Sequence, residues 1–279
     1  NDKIPINKHV LAIGHQYLAD TFLKEGKFKQ AEDEAKKSNF PSLHYARRAF
    51  SEYLIGRAQA YCAFSENKDE VLDTAIKTLE GAERLFSLMG TSQRRAQVLT
   101  ELGKFYAYRA YKKKKTRGDG KDDFGKAVNS LDLADTILKA LGTFQAYSEP
   151  SVKINKAIVS FIEWVSDNER RSKSEETRKI NDCIKDMERE LSDKSPSGHR
   201  ARFYALRAAV NLAKGAKGWE EYVMKSASLS TQRDVMAVYD CRWLIYLGAF
   251  SCRMTEQAMN KFDECLPRPL ESRRIWAYG

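Results

Sequence analysis

The side chains of this 279-residue chain that could do chemistry are numerous but poorly grouped. Its four histidines, His9, His15, His44 and His199, are scattered, and the nearest two are six residues apart. That spacing does not align two imidazoles on one helix face to hold a metal ion. The five cysteines, Cys62, Cys183, Cys241, Cys252 and Cys265, contain no C-x-x-C pair. An odd, dispersed set of this kind reads as free thiols in a reducing, cytoplasmic setting. Gly120-Lys121 is followed by Asp122 and lacks the upstream glycine of a phosphate-binding loop. Dinucleotide fingerprints, H-E-x-x-H and G-x-S-x-G are absent. Carboxylates are plentiful, but a pair of them acquires catalytic meaning only inside a pocket. These residues point away from an enzyme, and neither a metal nor a cofactor is expected.

Charge and aromaticity offer a different chemistry. The net charge of +10 suits acidic partners, nucleic acid among them. The clearest local shift is the basic run Lys112, Lys113, Lys114, Lys115 and Arg117, read as a loop inserted over 112–123. Such a loop could engage phosphates or an acidic surface, or simply be a solvated turn partly neutralised by Asp119, Asp122 and Asp123. Aromatic and basic residues interleave over Lys104–Tyr111 and Arg200–Arg207, which would suit base or peptide stacking. Phe105, Tyr108 and Tyr111 recur every three residues, however, as a buried helix face does.

Helices are the elements that must position these groups. With 15 Gly and 6 Pro the chain has few tight turns, and 42% hydrophobic residues are enough for a core. No apolar run is long enough to span a bilayer, so no membrane partner is expected. The residues Ala75-x-x-x-Leu79-x-x-Ala82, closed by Gly90, align without gaps to Ala127-x-x-x-Leu131-x-x-Ala134, closed by Gly142, at a constant offset of 52 residues. That spacing puts small and apolar side chains on one helix face and a glycine at the helix stop. Periodicity predicts six antiparallel helix pairs: 7–24 with 27–38, 43–65 with 69–89, 92–112 with 122–141, 150–166 with 174–193, 198–215 with 217–229, and 231–252 with 254–265. Ser174-x-x-Thr177 with Glu175 and Glu176 reads as a helix start. Residues 266–279, with Trp276 and Tyr278, read as a C-terminal tail. The N-terminus shows neither an initiator Met nor a signal layout, so a trimmed chain and a piece of a longer protein are both open.

Leu99-x-x-Leu102-Gly103-x-x-Tyr106, followed by Ala127-x-x-x-Leu131-x-x-Ala134, resembles the tetratricopeptide-repeat (TPR) pattern W-x-x-L-G-x-x-Y, then A-x-x-x-F. Leu99 stands for Trp and Leu131 for Phe, and an insertion separates the two halves. Weaker echoes lie at Leu18-Ala19 with Gly26 and Ala31, and at Leu247-Gly248 with Ala258 and Phe262. The resemblance is best over 75–142 and weakest over 150–230. It implies one all-α domain over 1–279, a right-handed superhelical array of about six antiparallel helix pairs.

In such arrays the first helix of each pair lines a concave groove. The resemblance therefore implies groove positions Gln97, Thr100, Lys104 and Tyr108, and, through the weaker match, Gln16, Asp20 and Lys24. The function implied is a non-catalytic scaffold or sensor that binds a protein or peptide. A nucleic-acid-associated repeat protein and a helical enzyme of undefined chemistry are the alternatives. Oligomeric state is left open.

Overall fold

The fold is a computed structural model that describes residues 7–41, 43–66, 68–90, 92–142, 149–167, 174–191, 195–230 and 235–266. Its regular elements are all helices, and no strand occurs among the described residues. They are α1 (Lys8–Lys24), α2 (Phe28–Lys37), α3 (Tyr45–Glu66), α4 (Asp69–Ser87), α5 (Gln93–Arg117) and α6 (Lys121–Leu141). The second half holds α7 (Glu149–Val165), α8 (Ser174–Glu190), α9 (Ser197–Ala213), α10 (Trp219–Leu229), α11 (Val235–Ser251) and α12 (Thr255–Cys265). No helix among the described residues is long and apolar enough to cross a membrane. Trp276, Tyr278 and the rest of the 267–279 segment lie outside the described residues, as do Asn1–Ile6 and the basic residues of 168–173.

The helices pack as six consecutive pairs, each first helix against its own second. The echoing segments are the second helices α4 and α6, and the echo is their buried face. Leu72, Ala75, Leu79, Ala82 and Phe86 of α4 are buried, and so are Phe124, Ala127, Leu131, Ala134 and Leu138 of α6. Each position in the first set matches one in the second at the 52-residue offset. Burying each large side chain contributes roughly 1.5–3 kcal/mol. Gly90 and Gly142, which close these helices, take φ of 85° and 68°, a region glycine enters without steric cost. Asn7 caps α1 by accepting from the His9 N–H, and Ser92 caps α5 by accepting from that of Arg95. Helix α8 starts at Ser174 with Glu175 and Glu176 in its first turn, where carboxylates favour the helix dipole.

The first helices form an inner layer of a different kind. Contacts run from α1 to α3, α5, α7, α9 and α11 in turn, and α11 then touches α1. Within that circuit α3 and α5 press on their second helices through glycine. A Cβ at Gly103 would lie 2.6 Å from Leu131 Cγ and 3.1 Å from the Ala127 carbonyl oxygen. Gly56 repeats the arrangement against Leu79 and Ala75, at 2.7 and 3.2 Å. At Gly248 of α11 the close neighbour is instead the Ala209 backbone of α9 rather than Ala258 of α12. Helix α11 is buried on nearly every side: of its residues only Tyr246, Phe250 and Ser251 escape full burial.

One expected feature is corrected. The 112–123 segment is not a basic loop, because α5 continues through Lys112–Lys115 to Arg117 and α6 begins at Lys121. Lysine is a good helix former, and cations in a last turn are favoured by the helix dipole. Only Gly118-Asp119-Gly120 remains as the connection.

Candidate functional site

The inner layer encloses a cavity of about 720 Å³. Among the described residues it is lined from all six first helices, with Leu138 the one contribution from a second helix. Helix periodicity selects the lining. On α3, Arg47, Phe50, Tyr53 and Arg57 fall on successive turns of one face, and on α5 Arg94, Gln97, Glu101 and Lys104 do the same. Helix α1 presents Gln16, Asp20 and Lys24, while α9 and α11 add Arg202 and Asp240. The rim is exposed at Tyr17, Lys24 and Arg94, and the floor is buried at Lys104 and Asp240.

The floor is a charge network joining distant parts of the chain. Lys104 Nζ donates to Tyr61 Oη at 2.8 Å and lies 3.4 Å from Asp240 Oδ2. Tyr61 Oη in turn donates toward the Asp240 carboxylate, 3.3 Å from each oxygen. Arg202 Nε donates to Asp240 Oδ2 at 2.8 Å. Glu101 pairs with Lys104 at 2.8 Å and lies 3.3 Å from Arg57 Nε. Lys104 also sits over the rings of Tyr61 and Phe105, 4.9 and 4.8 Å from their centroids.

Burial alone would raise the Glu101 carboxyl, but Lys104 and Arg57 outweigh it and hold it down at about 2. Burial likewise opposes the charge on Lys104, yet Asp240 and Glu101 keep its ammonium protonated above the ordinary lysine range. Burial first, and the Asp240 charge second, raise the Tyr61 and Tyr108 phenols well above theirs.

A pH profile of stability follows from these directions. Glu101 titrates lower folded than unfolded, so its contribution is complete above its ordinary value near 4.5 and is lost as pH falls toward about 2. It is worth about 3 kcal/mol. Lys104, shifted upward, contributes fully below 10.5 and loses that contribution only as pH rises beyond it. Urea midpoints of the native chain are therefore expected to fall below pH 4.5, and Glu101→Gln to flatten that acid limb. An equally steep limb in the variant would assign the transition to other carboxylates.

Six of the seven expected groove residues, Gln16, Asp20, Lys24, Gln97, Thr100 and Lys104, line this one cavity. Tyr108 does not. Its ring lies 3.9 Å from that of Trp243 on α11, and it is buried in the core. Thr100 turns its hydroxyl back to donate to the Ala96 carbonyl at 2.7 Å. Lys104 is a floor residue held by carboxylates rather than an open cation. The basic run is also largely compensated. Lys112 pairs with Asp69, Lys113 with Asp123 at 2.9 Å and Lys114 with Asp167 at 2.9 Å. Lys115 Nζ stands 3.4 Å above the Phe250 ring, and the Arg117 side chain is outside the described residues. Phe105, Tyr108 and Tyr111 are core residues, as their spacing implied. All five cysteines are unpaired, and among the described residues no cluster of His, Cys, Asp and Glu is arranged to hold a metal ion.

Sequence reasoning did not pick out Arg47, Arg57 or Asp240, and reached Arg202 only within the aromatic-basic stretch Arg200–Arg207. A signal for Asp240 was present: with Arg242 it interrupts an otherwise apolar stretch from Val235 to Ala249, and a charge in such a run needs a buried partner. No protein-family model matches the chain, and neither a curated protein nor a solved structure is significantly similar to it.

Proposed function

We propose that the chain is a non-catalytic recognition module, a TPR-like superhelical array acting as a scaffold or sensor, whose ligand enters the central cavity. The observation that carries this reading is the lining itself. The first helices of all six pairs supply it, and with them six of the residues that the TPR resemblance assigns to a binding groove. At about 720 Å³ the space suits a compact ligand or a short peptide segment of a partner rather than a folded domain. The unpaired thiols fit a cytoplasmic setting.

A helical enzyme is the second reading, favoured by the convergence of Lys104, Tyr61 and Asp240 beside the cavity. It ranks lower because the shifts run against catalysis. A general acid or base is tuned toward neutral pH, whereas Lys104 is held protonated, Glu101 ionised, and Tyr61 and Tyr108 protonated. Nucleic acid keeps the net charge of +10 but loses the basic run as a motive, since Lys112 to Lys114 each pair with a carboxylate.

The test is selection of a random peptide display library on the native chain, counter-selected on Gln97→Trp. Gln97 lines the cavity and is half-buried, so a tryptophan there fills space without disturbing the floor. The expected result is a set of peptides retained by the native chain and lost by the variant at unchanged melting temperature. A library with no Gln97-dependent binder would reject the reading.

A further inference from the structure

We infer that the group seated in the cavity is a compact polyanion carrying two or three negative charges, held by an arginine wall on α3 and α5. This rests on the recognition reading above and names the chemistry of its ligand.

The cavity is not charge-balanced. Among the described lining residues, Lys24, Arg47, Arg57, Arg94, Lys104 and Arg202 face Asp20, Glu101 and Asp240, an excess of three positive charges. The three carboxylates are already engaged: Asp20 with Lys24 at 2.6 Å, Glu101 with Lys104 and Arg57, and Asp240 with Lys104 and Arg202. Arg47 and Arg94 are thereby left without a carboxylate, and Arg57 has only a share of Glu101. Arg47 donates from Nη1 to the Gln16 side-chain carbonyl at 3.2 Å, and Arg94 to that of Gln97 at 3.0 Å. These are neutral partners. Arg57 is the most confined, its side chain 14% exposed. Its Nη2 meets only the Met236 sulfur, at 3.2 Å, and its Nε has no aligned acceptor. A confined guanidinium with donors unfilled is costly, and an oxyanion is the group that fills them.

The wall is also preorganised. Arg94 stacks 4.6 Å from the Phe50 ring centroid and Arg57 5.2 Å from that of Tyr53, and the two rings lie 6.1 Å apart. Stacking fixes each guanidinium while leaving its in-plane N–H donors unblocked. Two arginines held this way lose little further freedom on gripping an anion. A single negative charge would leave two of the three surplus charges unmatched. A phosphoryl or clustered-carboxylate group would match them.

The experiment is calorimetric titration of the full chain with pyrophosphate, citrate and a triacidic peptide, repeated on Arg47→Gln/Arg94→Gln. The replaced side chains hydrogen-bond only to amides, and Arg94 is exposed where it stacks on Phe50, so the variant is expected to melt within a few degrees of the native chain. At least one polyanion is expected to bind, with affinity about tenfold or more weaker in the variant. Binding of pyrophosphate alone identifies a phosphoryl ligand; binding of citrate or the peptide alone identifies a carboxylate one. No binding by any of the three, or equal binding by the variant, overturns the inference. Neutral peptides that depend on Gln97 would also overturn it while leaving the recognition reading intact.

Discussion

Asp240→Ala is expected to lower the unfolding free energy by about 3–5 kcal/mol, read as a fall in the urea midpoint at unchanged slope. The magnitude comes from what is left behind. Asp240 is 2% exposed and is the acceptor for Tyr61, Arg202 and the Lys104 ammonium. Removing the carboxylate leaves Lys104 to Glu101 and takes from Arg202 its 2.8 Å acceptor, and buried charge that loses a partner is what makes broken buried pairs expensive. Removing a cation as well relieves part of that cost. Lys104→Met/Asp240→Ala is therefore expected to be less destabilised than the sum of the single variants, by about 1 kcal/mol or more. A loss under about 1 kcal/mol for Asp240→Ala would mean that water enters the floor and solvates the network.

Gly248→Ala is the second substitution with a large expected effect. The added methyl would sit 2.6 Å from Ala209 Cα and closer still to the Ala209 carbonyl oxygen. Both neighbours are backbone, so the clash cannot be relieved by a rotamer and α9 and α11 must separate. Overpacking of this kind costs about 3 kcal/mol or more. Gly125→Ala is the control. It lies in the second turn of α6 with nothing within 4 Å of the added carbon, and is expected to stabilise by about 0.5–1 kcal/mol. Thermal melts of the two variants should move in opposite directions, and a shift of Gly248→Ala no larger than about 1 °C would contradict the close approach of the two helices.

The two layers explain what could be read beforehand. Second helices bury one face, so α4 and α6 keep a clean small-and-apolar stripe and echo each other at 52 residues. First helices are covered on several sides, and their periodicity blurs accordingly. Gly56 packs as Gly103 does, yet Glu52 and Gln59 stand where Leu99 and Tyr106 flank the other glycine, so the match is hidden. The cavity-lining residues Gln16, Asp20, Lys24, Gln97, Thr100 and Lys104 of α1 and α5 were among those the repeat resemblance had named. Their surroundings were not, because Asp240 reaches Tyr61 across 179 residues of chain. No local pattern encodes such a pairing. The lysine run misled for a related reason. Like charges in succession suggest a solvated loop, and the carboxylates that make a helix tolerable there, Asp69, Asp123 and Asp167, come from other elements.

Closure of the inner layer by α11 bears on how the chain is made. A linear array can complete each pair as it leaves the ribosome, since every pair needs only its neighbour. Here the floor beneath α3 and α5 is finished by a helix that begins at Val235, so Tyr61 and Lys104 wait for most of the chain before their acceptor exists. Pairing at such separation is slow to form. Helices α3 and α5 therefore emerge with an uncovered aromatic and cationic surface, and the later-made α11 acts in effect as an internal chaperone for them.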